Sequence, residues 1–499
     1  MERSLNALIG QADAFVARAG TDAYRVQAGL QDLPRPAELQ AAAPWLSEPE
    51  TFARLTEVLK RPSLDDDQKL VIQRVLELCA ARVEAAQAVE LDDALGQALA
   101  RPLPFKDGTV RVSEAFGGLP DPDTQALAAL ERELTRALTE AQPLLARRVD
   151  VAIDTAAQLG FPSVRALKEA ASGRPLEPWI GAAEGLLQDL EAPYADVMAY
   201  ALKKNAPDVK PAQLGRGHLV SAIDAPWLWP HFRREDVLHA VTRTFEDLGL
   251  PPNARGAVTV DSEQRPGKRL GALALPITPP DSIRVVVQLR GGFQGFAEVL
   301  NAFGAAQAWA LVNPAVPVLL QRLRDPATVR GVGALFELLL ADEGWLKRAL
   351  RLPSATAREA ARLFALRTAT RVRRVAARLP HGLELALRGP VAPLAEAMED
   401  RLTAALRVRG HAERFLAGAL PLLHEADVLR GFALAEGLRV ALVERCNEDW
   451  WRNPAAGAFL RKVLEGGGRD TAEPLSERAL GRKLSLPGLS AQLTRVLGA

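Results

Sequence analysis

The sequence is poor in cysteine, in histidine and in long apolar stretches. Its 499 residues include two cysteines and six histidines. Two cysteines cannot form a disulfide framework, which favours a reducing compartment. No uncharged apolar stretch reaches about 18 residues, so no membrane-spanning helix is expected. The N-terminal segment carries internal charges and lacks a continuous apolar region, so we predict no signal peptide and a cytoplasmic location.

The sequence also has no excess of positive or negative charge. The chain has 62 Lys and Arg residues against 61 Asp and Glu residues, for a net charge of +1. This balance argues against a general nucleic-acid or acidic-membrane binder. A local basic ridge stands out on the helix predicted over 355–379, with arginines Arg358, Arg362, Arg367, Arg371, Arg373, Arg374 and Arg378. Few aromatic residues interleave with it, so we predict a solvated or internally paired face, with no nucleic-acid and no membrane partner.

The common catalytic motifs are absent as well. The chain has no Gly-x-Ser-x-Gly sequence, as a nucleophilic serine would need, and no Walker-type glycine loop. No two of the six histidines stand four residues apart, the spacing that lets two imidazoles bind one zinc ion from one helix face. They are His218, His231, His239, His381, His411 and His424. Arg290-Gly-Gly292 is a weak phosphate signal, which we interpret as a turn.

Most of the sequence shows apolar residues at the spacing that is typical of amphipathic helices. Hydrophobic residues make up 48% of the chain, enough for a large core. Helical periodicity runs through residue 204, and helices are predicted again from residue 293 to the end. Between them lie three strand-like segments, 257–262, 270–277 and 283–289, separated by turn-rich sequence. The pattern therefore predicts a mainly α protein with one small β-sheet.

One strand-turn-helix stretch stands out. The β-branched run IRVVVQL predicts a strand buried on both faces. Gly291 and Gly292 end it, and apolar residues at helical spacing follow, among them Phe296, Leu300 and Phe303. A strand, a Gly-Gly turn and an amphipathic helix are the elements predicted here.

This helix resembles the active-site helix of zinc metallopeptidases of the thimet oligopeptidase and oligoendopeptidase F type. Their motif is Leu/Phe-His-Glu-x-Gly-His-Ala, and here LNAFGAA occupies that place. RPGKRLGALALPI is similar to the family's edge strand. DPATVRGVGALFELLLADEGWL resembles the helix that supplies a third, glutamate ligand. Val428 and Phe432 fall near the family's tyrosines. The resemblance covers roughly residues 200–490.

The resemblance implies a zincin-like oligopeptidase fold, with two largely helical halves around a cleft. We assign an N-terminal helical lobe to residues 1–200 and a degenerate peptidase domain to residues 201–499. The small sheet would span about 257–289, and the motif helix about 293–313.

The same register implies that the metal site is degenerate. Asn301 and Ala305 stand where the histidines belong, Ala302 replaces the glutamate base, and Arg330 replaces the third ligand. At about 4 Å and an effective dielectric near 20, each like charge costs roughly 4 kcal/mol, so a guanidinium opposes a bound cation. We therefore expect no metal, no cofactor and no catalytic residue, and predict that the chain is not an enzyme but an inactive homologue.

The first functional hypothesis is a peptide- or protein-binding module. The predicted edge strand could pair with an extended peptide through Gly271, Ala272, Leu273 and Ala274, while Arg330 receives a carboxylate. Two alternatives remain: a structural or regulatory helical scaffold with a closed cleft, and a peptidase that uses non-standard residues.

Overall fold

The computed structural model describes residues 2–210, 214–253 and 256–498. Helices dominate it, as predicted. Before residue 206 the α-helices are α1 Glu2–Gln27, α2 Pro36–Ala42, α3 Pro49–Leu59, α4 Asp66–Gln87, α5 Val89–Ala100, α6 Val112–Gly117, α7 Thr124–Gln158, α8 Val164–Ser172, α9 Glu177–Asp189 and α10 Glu191–Asn205. A hairpin of β1 (Pro102–Phe105) and β2 (Gly108–Arg111) interrupts them.

The second part of the chain is again helical around one small sheet. Its helices are α11 Arg216–Asp224, α12 Val237–Asp247, α13 Gly292–Ala310, α14 Val318–Arg322, α15 Pro326–Glu337, α16 Glu343–Ala349, α17 Ser354–Arg388, α18 Pro393–Leu406, α19 His424–Cys446, α20 Pro454–Leu464, α21 Ala472–Leu475 and α22 Pro487–Leu497. The predicted mainly α fold class is confirmed. None of the helices in the described ranges has the length and apolarity needed to cross a bilayer.

The three strands predicted from β-branched patterning form one sheet. They are β3 (Val258–Asp261), β4 (Gly271–Thr278) and β5 (Ser282–Gln288). The strand order is β3-β5-β4, with β5 parallel to β3 and antiparallel to β4. The central position of β5 explains its run of three buried valines, Val285 to Val287, because both of its faces are covered. β4 is consequently an edge strand.

Glycines set the spacing of the helices behind the sheet. A Cβ at Gly304 of α13 would lie 2.8 Å from the carbonyl oxygen of Val332 on α15. A Cβ at Gly331 of α15 would lie 2.9 Å from the carbonyl oxygen of Gly431 on α19. Neither close approach tolerates a side chain, so α13, α15 and α19 pack backbone to backbone. The Phe-Gly step of the sequence motif therefore has a packing role.

Asp325 begins α15 and sits in a buried ionic network. It is fully buried and accepts a hydrogen bond from the backbone N–H of Ala327, as an N-cap. Arg430 donates to both of its carboxylate oxygens, at 3.0 and 2.8 Å. Arg174 of the N-terminal half lies 3.7 Å away. This network joins α15 and α19 to the segment that links α8 and α9.

The N-terminus of α13 is held by a residue distant in sequence. Asp224, the last residue of α11, accepts a 2.7 Å hydrogen bond from the backbone N–H of Gln294. It also accepts from the indole N–H of Trp229 at 2.9 Å and from Arg367 of α17 at 3.2 Å. Burial raises the pKa of this carboxyl to about 6, against the lowering effect of Arg367. α13 has no cap from its own flanking side chains, and Asp224 fills that role.

Candidate functional site

One narrow face of α13 is accessible, whereas the rest of the helix is buried. Glu298, Asn301, Ala305 and Trp309 are partly exposed and follow each other at spacings of three and four residues. Ala302 points the other way and is 3% exposed, within the core. The structure therefore places Asn301 and Ala305 on one face, as predicted for the two ligand positions.

The accessible face of α13 meets a carboxylate that the sequence analysis did not single out. The side-chain amide of Asn301 donates a 2.7 Å hydrogen bond to Glu337, the last residue of α15. Arg371 of α17 donates to both oxygens of the same carboxylate, at 3.2 and 3.0 Å. Gly333 makes room, because a Cβ there would lie 2.8 Å from the Asn301 amide oxygen. The three side chains form a polar chain across α13, α15 and α17.

Arg330 lies one helical turn before Gly333 on α15. Its base packs against Gly431 of α19. By accessible surface the residue is exposed, yet burial is the largest cause that lowers its pKa. Asp427 raises that pKa and Arg371 lowers it. Both observations fit a side chain that reaches into a cleft, where water touches it but protein surrounds it.

The guanidinium of Arg330 has no hydrogen bond and no ion pair within the ranges that the structure describes. Its described neighbours belong to α17 and α19. Asn301 and Ala305 face α15 from α13, so the sequence-predicted positions lie on two packed helices. The neighbours of Asn301 on α15 are Gly333 and Glu337, however, and no described contact joins Asn301 to Arg330.

The residues at these positions do not fit a divalent cation. An amide, a methyl group and a guanidinium replace the nitrogen and carboxylate ligands that such an ion needs. Within the described ranges, no three His, Cys, Asp or Glu side chains are grouped closely enough to hold a metal ion. We therefore derive no chemical step through a metal at Asn301, Ala305 and Arg330, and their roles stay predictions.

Val428 and Phe432, which the sequence resemblance sets near the family's tyrosines, have hydrocarbon side chains that are buried on α19. The ring of Phe432 lies 5.2 Å from the guanidinium of Arg371, a cation–π distance. This contact supports the same arginine that binds Glu337. Neither position offers a phenol that could stabilise an oxyanion.

β4 borders the accessible face of α13. Gly271 begins the strand with a φ of +94°, and a Cβ there would lie 3.0 Å from the carboxylate of Glu298. Arg290 holds that carboxylate in place with a 3.0 Å hydrogen bond from its Nε. Leu273 is 45% exposed. No strand of the described ranges pairs with the outer edge of β4, although Gly20 of α1 packs against Pro276 near its far end.

The arginines predicted as a basic ridge on α17 turn one face towards the other helices. Arg367 pairs with Asp224 at 3.2 Å, Arg371 with Glu337 at 3.0 Å, and Arg378 with Glu425 at 3.4 Å. These residues and Arg374 follow at spacings of three and four, so they share one face. The carboxylates come from α11, α15 and α19, which explains why local sequence could not pair them.

Comparisons with known proteins show the fold. No family model matches the chain, and no curated protein matches it. An M32 carboxypeptidase from Deinococcus radiodurans R1 is similar with a TM-score of 0.65 and 16% identity, over 99% of each chain. PZ peptidase A with inhibitor 2 gives a TM-score of 0.71 and 11% identity, over 98% of this chain and 90% of that one. BsuCP gives 0.64 and 12%, over 100% and 99%.

These likenesses span both halves of the chain and support a metallopeptidase-like fold. They do not confirm the finer resemblance to oligoendopeptidase F, nor do they test the division at residue 200.

The prediction that the chain is not an enzyme is contradicted by these neighbours. The solved structures that share its architecture include a carboxypeptidase and a peptidase with an inhibitor, so the fold gives no support to the prediction of a non-enzyme. The prediction rested on the side chains at Asn301, Ala302, Ala305 and Arg330 alone. The absence of one ligand set at these positions says nothing about other polar groups beside α13, such as Glu337, which that reasoning missed.

Proposed function

We propose that this chain takes peptides as its substrate class and binds them in extended form in the cleft between β4, α13, α15 and α17. The observation that carries the proposal is the outer edge of β4, which pairs with no strand of the described residues and lies beside the accessible face of α13. Unpaired N–H and C=O groups on an edge strand are the groups that an extended peptide uses when it adds a strand.

Backbone pairing would supply the sequence-independent part of the affinity. α1 contacts the chain on both sides of this stretch: Gly20 packs against Pro276, and the backbone N–H of Arg269 donates to the carbonyl oxygen of Gln27. We assign peptide pairing to the residues between these two contacts, from Gly271 to Ala274. Each hydrogen bond formed there contributes about 0.5–1.5 kcal/mol net. Leu273, 45% exposed, offers an apolar contact to a peptide side chain. A peptide side chain on the other face would point towards α13.

The charge of Arg330 would make the binding selective for acidic peptides. Arg330 lacks a carboxylate partner in the described ranges, whereas Arg371 beside it is already paired with Glu337. A carboxylate of the peptide, from its end or from an acidic side chain, would pair with Arg330 through charge-assisted hydrogen bonds. We expect acidic peptides to bind more tightly than basic ones.

A fluorescent peptide pool tests the proposal. Binding is measured by anisotropy, and the same mixtures are analysed by mass spectrometry for cleavage products. Binding that an acidic subset dominates supports the proposal, and new peptide ends would identify the bound peptide as the substrate of a hydrolase. If no peptide binds and none is cleaved, the proposal is wrong, and the scaffold with a closed cleft becomes the better explanation.

A further inference from the structure

A separate cavity of about 370 Å³ lies beside α17, beyond the Glu337 site. Its walls come from α11, α17 and α18, from the segment between α18 and α19, and from the start of α19. The volume is at the small end of the range for small-molecule sites, which run to roughly 300–1,000 Å³. The cavity is therefore suited to a small ligand rather than to a folded partner.

Most of the wall is apolar. Leu219, Val220 and Ile223 line it from α11, and Leu402 and Leu406 line it from α18. Burial of apolar ligand surface against such a wall contributes about 25 cal/mol per Å². An apolar body is thus the part of a ligand that this wall would bind.

Five of the polar residues that line the cavity are arginines, and four of the five form ion pairs. Arg216 and Arg414 each lie 2.7 Å from Glu131, Arg378 lies 3.4 Å from Glu425, and Arg409 lies 3.3 Å from Glu399. Arg374 has no hydrogen bond and no ion pair within the described part of the chain. Five guanidinium groups therefore meet three carboxylates, which leaves an excess of two positive charges.

Arg374 reaches into the cavity itself. It is exposed by accessible surface, but that surface faces the cavity, and protein encloses the side chain. Burial is the largest cause that lowers its pKa, and Arg216, Arg378, Arg371 and Arg367 add to it in that order, so that together they bring the pKa to about 9. The group is still protonated at neutral pH. An enclosed cation without a counter-charge is costly, and a bound anion would offset that cost.

A second guanidinium group at the cavity also indicates a missing anion. Within the described residues, the Nη2 atom of Arg378, one turn after Arg374 on α17, is buried and makes no hydrogen bond, and the Oε2 atom of its ion-pair partner Glu425 is also unbonded. Buried donors of this kind are rare in folded proteins and usually mark a missing partner. The partner carboxylate, Glu425, bonds to the Nε atom instead.

We propose that this cavity binds a small amphipathic carboxylate, with its head group on Arg374 and Arg378 and its apolar body against α11 and α18. A carboxylate matches the planar guanidinium fork. A single negative charge suits the site because Glu425 already lies within it and would oppose a dianion. This binding is independent of peptide binding along β4.

Calorimetry with sodium decanoate tests the assignment. We expect saturable binding of one decanoate per chain to the wild type, and at least a tenfold weaker affinity for Arg374→Gln, with partial retention in Arg374→Lys. Decanol, which has the same apolar body, should bind at least tenfold more weakly than decanoate. Arg452→Gln, a change at an exposed arginine outside the cavity, is the matched control and should bind decanoate as the wild type does.

Several results would overturn the proposal. They are equal binding of decanol and decanoate, unchanged binding by Arg374→Gln, and tighter binding of octyl phosphate than of decanoate. Binding of a peptide acid in place of decanoate would assign the site to peptide ends instead. Val220→Phe, which fills the apolar wall without touching a charge, should also abolish decanoate binding while circular dichroism stays unchanged. Decanoate binding by a folded Val220→Phe variant would place the ligand elsewhere.

Discussion

The amide nitrogen of Asn301 lies 2.7 Å from the carboxylate of Glu337, across the interface of α13 and α15. The same carboxylate is shared with Arg371. Glu337 is almost fully buried, so its charge depends on both donors.

Asn301→Asp should destabilise the protein at neutral pH. The change replaces a donor by a second carboxylate facing Glu337, and like charges at this distance oppose each other. The new aspartate should have a raised pKa in the folded state, so the stability deficit should shrink as pH falls through that pKa. Urea unfolding at pH 7 should show a loss of about 1–3 kcal/mol. Asn253→Asp on the surface is the control, and an equal loss there would contradict the explanation.

A zinc site should be obtainable by restoring the ligands. In the wild type we expect no stoichiometric zinc in freshly purified protein. Asn301→His with Ala305→His places two imidazoles one turn apart on the accessible face of α13. Adding Arg330→Glu should then give one zinc ion per chain by elemental analysis. The double variant, which keeps Arg330, tests whether Glu337 can serve as the third zinc ligand. A folded triple variant without zinc would show that the sequence register at Arg330 is wrong.

Arg330→Gln should weaken the binding of acidic peptides by about tenfold, or about 1.4 kcal/mol, which is the size of one charge-assisted hydrogen bond. Basic peptides should lose much less, because their contacts are with the β4 backbone. Anisotropy titrations measure both. Arg452→Gln, at an exposed ion pair with Asp449, serves as the matched control. Equal affinities for wild type and Arg330→Gln would remove Arg330 from the proposal.

A bulky label on Leu273→Cys should block peptide binding. The two native cysteines, Cys79 and Cys446, are buried, so a thiol reagent should modify the new position selectively. Leu387→Cys, at a leucine that is 74% exposed on α17, is the control for labelling itself. Peptide titrations before and after labelling compare the two. Undiminished binding by the labelled Leu273→Cys variant would mean that peptides do not use the β4 edge.

Asp325→Asn should be among the most destabilising conservative changes in the chain. Burial raises the pKa of Asp325, but Arg430 and Arg174 outweigh this and bring it to about 2. Loss of the charge leaves Arg430 with fewer partners, at an expected cost of about 3–5 kcal/mol. Since the folded pKa is depressed, this stabilisation is complete above the unfolded pKa near 3.8 and is lost as pH falls towards 2. Asp449→Asn, which is exposed, should change the free energy of unfolding little.

Buried His381 should make stability depend on pH between 6.5 and 4. Burial lowers its pKa to about 4, while the hydrogen bond to Phe415 raises it, Arg378 and Arg401 lower it, and Glu384 raises it. The unfolded chain then binds a proton near pH 6.5 that the folded chain binds only near pH 4. Stability is therefore complete above pH 6.5 and falls by roughly 3 kcal/mol towards pH 4.

His381→Gln should flatten the dependence of stability on pH in that interval, as measured by urea unfolding at several pH values. His231→Gln, at an exposed position, should keep the wild-type slope. An unchanged slope in His381→Gln would assign the pH dependence to other groups.

Local pattern was enough to predict the sheet and the motif helix. The apolar run of β5 and the Gly-Gly turn before α13 are features of adjacent residues, and both elements lie within a few residues of their predicted bounds. Helix starts were predicted less well. The sequence Ser63-Leu-Asp-Asp66 resembles a capping box and predicts a helix start at Ser63, but α4 is capped by Asp65, whose carboxylate accepts a hydrogen bond from the backbone N–H of Gln68.

The candidate site could be predicted only in part, because its pairs are distant in sequence. Glu337 stood in the segment used to set the register, but nothing local shows that Asn301, 36 residues away, donates to it. Likewise, four arginines of α17 share one face by spacing alone, yet which of them lacks a partner depends on α11, α15 and α19. Arg374 could therefore not be distinguished from Arg371 before the helices were assembled.

The buried ion pair of Arg174 with Asp325, which also pairs with Arg430, affects how the molecule can move. Swinging the N-terminal helices away from α15 as a rigid lid would pull charged groups apart inside the protein, at a high energetic cost. A hinge opening along that seam is therefore disfavoured. Ligands would exchange through small displacements near β4 and the segment between α18 and α19, on a faster timescale than a domain swing, so crystals of the free and loaded forms should superpose closely along α15.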